Sequence, residues 1–191
     1  EIAKNTYKPY PGGIVMHPMI EGCLRLYNEA GLRAEDVVEV ELTGHPLLRE
    51  RTDRPDVTTG RLSQISAQHT IAIALRRGKA GLTEFNDDAV GETLRDGIRP
   101  KVRFIDDDSR DIANVHMRVL TRQGPAHEIE ITAAKGGPDN PMTDRELEDK
   151  LAELAEFRGF KRDVQAIADA VWALDTAEDA SAVMRLTNLP S

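Results

Sequence analysis

The chain has 191 residues, of which 40% are hydrophobic and 30% charged, and this composition excludes a disordered chain. No stretch approaches the roughly 18 uninterrupted apolar residues that cross a membrane, and the net charge of −8 disfavours nucleic-acid binding. The single cysteine, Cys23, excludes an internal disulfide and a cysteine-based metal cluster. We therefore expect a cytoplasmic protein with no membrane or nucleic-acid partner.

The first part of the chain predicts a loop, a helix and a strand. Residues 1–13 contain prolines and a Gly-Gly pair and predict a loop. Apolar residues at helical spacing then predict a helix that begins near His17, with Pro18 at its first position, and ends at Gly31. Residues 37–43, in which apolar and polar residues alternate strictly from Val38, predict a strand with one wet face.

The middle of the chain predicts a loop and two helices. Residues 44–61 mix glycine and proline with many charges and predict a long surface loop. Residues 63–77 predict a deeply buried helix, because its centre is small and apolar and two arginines precede Gly78 at its end. A short helix is predicted over 87–95.

The last part predicts a hairpin followed by helices. Three strands are predicted, over residues 101–105, 113–120 and 128–134. From Thr143, which opens a capping box with Glu146, the pattern is helical to the end. The prediction is therefore an α+β domain over 1–142, with a four-stranded, mostly antiparallel sheet and helices on one face, followed by a helical segment over 143–191.

The titratable residues do not predict a metal site. No histidine lies at metal-ligand spacing from another histidine or from a carboxylate. The five histidines are His17, His45, His69, His116 and His127. Three adjacent carboxylates at 106–108 either bind a cation or form a solvated turn.

A set of cationic residues is more informative. Lys8 lies on the proline-containing loop, His17 where a helix begins, and Lys135 before Gly-Gly-Pro. A helix N-terminus favours anions, so these residues suggest a pocket for a substrate that carries carboxylates, although Lys135 could equally be a solvated lysine before a turn.

The predicted central helix leaves two questions open. His69 is either a hydrogen-bonded core residue or a titratable group in an apolar pocket. Ser66 lies three residues before it, so the two either form a Ser–His couple or the serine bonds back to a helix carbonyl.

Four motifs occur in one order along the chain. They are Lys8-Pro-Tyr-Pro followed by His17-Pro18; Gly31-Leu-x-x-Glu-Asp-Val-x-x-Val40; Ser66-Ala-Gln68-His69 running on to Gly78; and Lys135-Gly-Gly-Pro-x-Asn140-Pro141 with Leu147 and Lys150. In this order and spacing they resemble the MmgE/PrpD family, over about residues 6–157. The chain is similar to the family's smaller α+β lid domain and the tail that follows it.

The resemblance implies a chemistry and a site. The family contains 2-methylcitrate dehydratase, cis-aconitate decarboxylase and iminodisuccinate epimerase, which remove a proton α to a carboxylate or carbonyl without a metal or cofactor. Their active site lies between the lid and a large helical N-terminal domain. Carried over by position, the resemblance implies catalytic roles for Lys8, His17 and His69. Substrate-binding roles are expected for Ser66, Gln68 and Lys135.

The function expected from the resemblance is a cofactor-independent hydro-lyase, similar to 2-methylcitrate dehydratase, acting on a small polycarboxylate. The alternatives are an epimerase of the same family, or a stand-alone, non-catalytic module that binds an anion or a protein. At the positions of Gly12 and Gly13, many family members have residues with side chains, and in decarboxylase-like members one of these is a catalytic histidine. The glycines therefore argue against decarboxylation by this chain.

The family's large helical domain is not in this sequence, so we expect the isolated chain to be inactive. The expected partners are a small polycarboxylate and a helical domain from the same gene or a separate chain. A homodimer is a further assembly that the prediction allows. A detached lid is expected to expose an apolar patch where its partner docks.

Overall fold

The computed structural model describes residues 5–188, and the chain divides after Pro141 into two units. The first unit contains a four-stranded sheet in the order β2-β1-β3-β4. Its strands are β1 (Val37–Gly44), β2 (Lys101–Asp106), β3 (Val115–Thr121) and β4 (His127–Ile131). Its helices are α1 (His17–Glu29), α2 (Pro46–Thr52), α3 (Gly60–Ser63), α4 (Ala67–Arg77) and α5 (Asp87–Arg95).

The predicted α+β class is confirmed. Strand β1 pairs in parallel with β2 and antiparallel with β3, which pairs antiparallel with β4. Two of the three pairings are therefore antiparallel. The parallel pair is possible because the chain between β1 and β2 is long enough to cross over through helices.

The sheet has one buried face and one wet face, as its alternation predicts. Val40 and Leu42 of β1 lie opposite Val119 and Met117 of β3, and all four are fully buried. On the other face, Glu41 lies between two arginines, Arg103 of β2 and Arg118 of β3. Such cross-strand pairs stabilise a wet face modestly.

Helix α1 packs against β3, β4 and α4. Gly22 permits this close approach, because a Cβ there would lie 2.5 Å from Met117 Sδ. Cys23, on the same helix, is fully buried, and burial raises the pKa of its thiol to about 12, so it is unreactive in the folded protein. The helix begins one residue earlier than predicted, with His17 first and Pro18 second.

Helix α4 is the predicted buried helix, but it is shorter than expected. Residues 67–75 are all buried. Ser66 caps its N-terminus, and Gly78, with φ of +65°, ends it. The helix predicted over 63–77 therefore begins four residues later than expected, because Ser63 is the last residue of α3 and the chain turns before Ser66.

The predicted surface loop over 44–61 is wrong in part, since α2 occupies most of its first half and α3 begins at Gly60. Pro46 opens this helix, and the N–H of Leu47 donates to His45 Nδ1 at 3.2 Å. Leu48 and Thr52, one helical turn apart, are buried. Because charged residues separate these two positions, the sequence shows no clear helical pattern of apolar residues here.

The second unit is helical. It contains α6 (Asp144–Phe157), α7 (Val164–Trp172) and α8 (Ser181–Thr187). The capping box predicted for Thr143 and Glu146 is present at the start of α6. Several large apolar side chains are exposed, including Phe157 and Trp172. Among the described residues, no helix combines the length and apolar character needed to cross a bilayer.

Candidate functional site

Two loops from opposite ends of the first unit meet. The N–H of Tyr7 donates to the carbonyl of Gly136 at 3.0 Å. Gly136 has φ of +91°, and a Cβ on it would collide with the carbonyl oxygen of Tyr7, so only glycine fits there without strain. The loop that carries Lys8 therefore lies against the loop that carries Lys135.

Helix α1 holds the second of these loops. Glu21 accepts a hydrogen bond from the backbone N–H of Lys135 at 2.9 Å and another from Asn140 Nδ2 at 3.3 Å. Asn140 Nδ2 also donates to the carbonyl of Ala133 at 3.1 Å. Glu21 lies four residues after His17, and residues at this spacing share a helix face. The helix thus connects the two predicted site residues His17 and Lys135.

A pocket of about 240 Å³ lies at this junction. It is small beside the roughly 300–1,000 Å³ of drug-sized sites, so it suits a small organic ligand. It is lined by Thr6, Tyr7, Ile14, His17, Asp111, Ile112, Ala113, Ala134, Lys135, Gly136, Gly137 and Pro138. Two predicted site residues, His17 and Lys135, are among these; Lys8 is not, although it directly follows Tyr7.

The surface of the pocket is mostly apolar, and side chains of both charge signs are among its lining residues. His17 is buried at the start of α1, and its ring meets the Tyr10 ring edge-on with centroids 5.5 Å apart. Lys135 brings a cation. Asp111 brings a carboxylate, which accepts from the N–H of Ala113 at 2.8 Å. The exposed side chain of Ile14 contributes to the rim.

The structure places His69 apart from this pocket, fully buried in α4. Its Nε2 lies 2.8 Å from the carbonyl oxygen of Glu84 and its Nδ1 lies 3.1 Å from Thr93 Oγ1. Because a carbonyl only accepts, the geometry assigns the proton to Nε2 and leaves Nδ1 as acceptor. Burial first, and then the nearby Arg99 and Arg77, lower the pKa of His69 to about 4. The ring is therefore neutral at pH 7, which matches the core alternative.

Ser66 and Gln68 also lie outside the pocket lining. Ser66 Oγ donates to the carbonyl of Arg54 at 2.6 Å and accepts from the backbone N–H of His69 at 3.2 Å. The hydroxyl is an N-cap, so neither the Ser–His couple nor the backward bond describes it. Gln68 Nε2 donates to Asp53 Oδ1 at 2.8 Å, and its Oε1 accepts from the N–H of Arg54. Both residues join the end of α2 to α4.

The acidic run at 106–108 forms a turn with paired carboxylates. Asp106 forms an ion pair with Arg49 at 2.6 Å. Asp107 accepts from Ser109 Oγ at 2.6 Å and from its N–H at 3.0 Å. Hydrogen bonds lower the pKa of both carboxyl groups. Within the described residues, no three His, Cys, Asp or Glu side chains are grouped as metal ligands.

The sequence predictions missed Glu21 and Asp111. The spacing from His17 could have indicated Glu21, since a residue four positions later lies on the same helix face. Asn140 belonged to a recognised motif, but nothing local indicated its bond to Glu21. Asp111 reaches the pocket only through the loop between β2 and β3, and no spacing in the sequence indicates that contact.

The fold and this junction define a class of protein. It is an α+β domain with a small, mostly apolar pocket, lined in part by charged residues, between its N-terminal loop, its first helix and a Gly-Gly-Pro turn. The sequence profile of the MmgE/PrpD C-terminal domain matches residues 10–176. The chain therefore belongs to the MmgE/PrpD family, and the resemblance drawn from the four motifs is confirmed. No curated protein matches the sequence significantly.

Proposed function

We propose that the chain is the C-terminal part of a cofactor-independent hydro-lyase that acts on a small polycarboxylate, in the manner of 2-methylcitrate dehydratase. The observation that carries the proposal is the pocket, which joins His17 and Lys135 beside the Lys8 loop. The family match over residues 10–176 supports the class of reaction.

The cationic residues have separate roles in this proposal. Lys135, which lines the pocket, pairs with a substrate carboxylate. Lys8, on the adjoining loop, stabilises the negative charge that develops when the α-proton leaves. His17, buried at the start of α1, donates a proton to the departing hydroxyl, which leaves as water. The group that removes the α-proton belongs to the helical domain that family members join to this one.

The proposed chemistry does not use His69. Both of its ring nitrogens already have hydrogen-bond partners, and it remains neutral at pH 7. In this proposal it is a core residue of α4, while Ser66 and Gln68 fix the neighbouring loop to α4.

The mixed charge of the pocket favours a hydroxy acid over a simple anion. A carboxylate such as Asp111 repels an anion, but its oxygens have room for about four hydrogen bonds. It already accepts one from Ala113. A substrate whose hydroxyl donates to Asp111 and whose carboxylate pairs with Lys135 would match both the negative and the positive residue of the pocket. A citrate-like ligand has both groups.

Calorimetric titration of the chain tests this proposal. We expect citrate to bind more tightly than tricarballylate, which has the same carboxylates and no hydroxyl. Lys135→Ala should weaken citrate binding by about tenfold, which corresponds to one lost charge-assisted bond. Asp111→Asn should reduce the preference for citrate. Lys79→Ala, an exposed lysine outside the pocket lining, is the matched control.

The chemical step is tested by adding the helical domain to the chain and measuring alkene formation from 2-methylcitrate and citrate. Deuterium uptake from solvent without alkene would favour the epimerase alternative. Equal citrate binding by the wild type, Lys135→Ala and Lys79→Ala, or no binding at all, would refute the proposed site.

A further inference from the structure

We propose that Glu21 is a positioning residue, whose carboxylate sets the 135–140 turn so that Lys135 faces the same pocket as His17. The inference rests on the proposed function only for the identity of the ligand. The contacts of Glu21 themselves are independent of it.

The 135–140 turn is closed on itself. The N–H of Gly136 donates to the carbonyl of Asn140 at 2.8 Å, and the N–H of Asn140 donates to the carbonyl of Gly137 at 3.2 Å. A turn closed in this way moves as a unit. Whatever fixes its two ends therefore fixes the lysine that begins it.

Glu21 holds both ends of this turn. One end is the backbone N–H of Lys135, at 2.9 Å, and the other is the side-chain amide of Asn140, at 3.3 Å from one oxygen and 3.5 Å from the other. Hydrogen bonds to an ionised acceptor are about twice as strong as neutral ones. Helix α1, which carries Glu21, is itself held in the core by its buried face.

The N-terminal loop depends on the same turn. Its Tyr7 N–H donates to Gly136, and Lys8 follows directly. A shift of the turn away from α1 would therefore displace both lysine-bearing segments together. Glu21 reaches the turn from a helix whose inner face is buried in the core.

The charge of Glu21 separates a positioning role from an electrostatic one. A carboxylate one helical turn from His17 opposes the binding of an anion. If charge alone mattered, Glu21→Gln would tighten citrate binding. If geometry matters, the same substitution weakens it, because Gln has one uncharged acceptor oxygen and places an NH2 group, itself a donor, where the second carboxylate oxygen faced the turn.

The test compares Glu21→Gln with Glu29→Gln, the same chemical change on the same helix. Glu29 is exposed and pairs with Arg25 at 3.3 Å. Amide hydrogen exchange of the isotope-labelled, ligand-free chain is measured first. We expect the Lys135 amide to exchange faster in Glu21→Gln while the amides of β1 and β3 keep their protection, and Glu29→Gln to resemble the wild type.

Citrate titration of the same proteins is the second readout. We expect about tenfold weaker binding for Glu21→Gln, because the apparent Kd rises as the fraction of molecules with the turn in place falls. Unchanged protection at Lys135, or tighter citrate binding by Glu21→Gln, overturns the inference. If wild type binds no citrate, the proposed function fails, whereas the exchange result still decides the role of Glu21.

A second variant is used if Glu21→Gln does not fold. Asn140→Ala removes one of the two donors to Glu21, together with the bond from Asn140 to the Ala133 carbonyl, and leaves the Lys135 bond in place. Faster exchange confined to the 135–140 turn in that variant supports the inference. Wild-type exchange throughout the turn overturns it.

Discussion

Replacing Gly136 with alanine should release the N-terminal loop and destabilise the first unit. The position has φ of +91°, and a non-glycine residue in such a region costs about 1–3 kcal/mol. A Cβ there also meets the carbonyl of Tyr7. The loop is expected to swing away to relieve this collision, which breaks the bond from Tyr7 to Gly136 and costs about 0.5–1.5 kcal/mol more.

The expected loss in the free energy of unfolding is therefore about 1.5–4.5 kcal/mol, the sum of the backbone strain and the broken bond. Urea unfolding of Gly136→Ala and Gly137→Ala measures it. Gly137 is the matched control, because its φ is not positive and a Cβ there would lie 3.4 Å from its nearest neighbour, the carbonyl of Ala134.

A loss of less than about 0.5 kcal/mol for Gly136→Ala, or equal losses for both variants, would refute this reasoning. Citrate titration extends the test to the site. Since Lys8 follows Tyr7, release of the loop should weaken binding in Gly136→Ala. Gly137 lines the pocket itself, so its variant is a control for stability and not for binding.

Two further predictions concern α4. The pKa of His69 is lowered from 6.5 to about 4, so the unfolded chain takes up a proton on this residue before the folded chain does as the pH falls. The neutral, buried His69 therefore contributes about 3 kcal/mol of stability that is lost between pH 6.5 and 4. Urea unfolding over that window should show a steeper loss of stability for wild type than for His69→Gln. Ser66→Ala removes an N-cap and the bond to Arg54, so it should lower the free energy of unfolding by about 1–2 kcal/mol and leave citrate affinity unchanged. A large loss of citrate affinity without loss of stability would instead support a role for Ser66 in the site.

The parts of the fold that could be predicted are those whose burial repeats regularly along the chain. Strand β1 was predicted over 37–43 and spans Val37–Gly44. Its residues alternate from Glu39 because one face meets water, whereas Val38 is exposed beside a shift in register between Val37 and Glu39. Helix α5 was predicted over 87–95 and spans Asp87–Arg95. In both, the local pattern and the tertiary environment specify the same structure.

Other elements could not be predicted because the contacts that define them are not local. The buried stripe of α2 is only Leu48 and Thr52, among charged residues. The break before α4 depends on Ser66, whose hydroxyl reaches back to Arg54. The parallel pairing of β1 with β2 joins residues about 60 positions apart, and alternation does not specify the partner of a strand.

The candidate site divides in the same way. Lys8, His17 and Lys135 could be named because each lies at a local signal: a proline-containing loop, a helix start and a Gly-Gly-Pro turn. Their proximity depends on Glu21 and Gly136, which act through backbone groups of other segments. Nearly any residue can supply a backbone N–H or carbonyl, so a hydrogen bond to such a group does not require a particular residue type and is hard to predict from the sequence.

Helix α1 explains why core and site are coupled in this domain. Its inner face is buried against the sheet at Gly22, and the same helix presents His17 at its start and Glu21 one turn later. Loops alone could not fix a cation within the small distances that ion pairing requires, because they have few packed side chains. Residues on a buried helix are positioned more precisely, because the packing of the core fixes the helix. Substitutions that shift α1 against Met117 should therefore alter ligand affinity as well as stability.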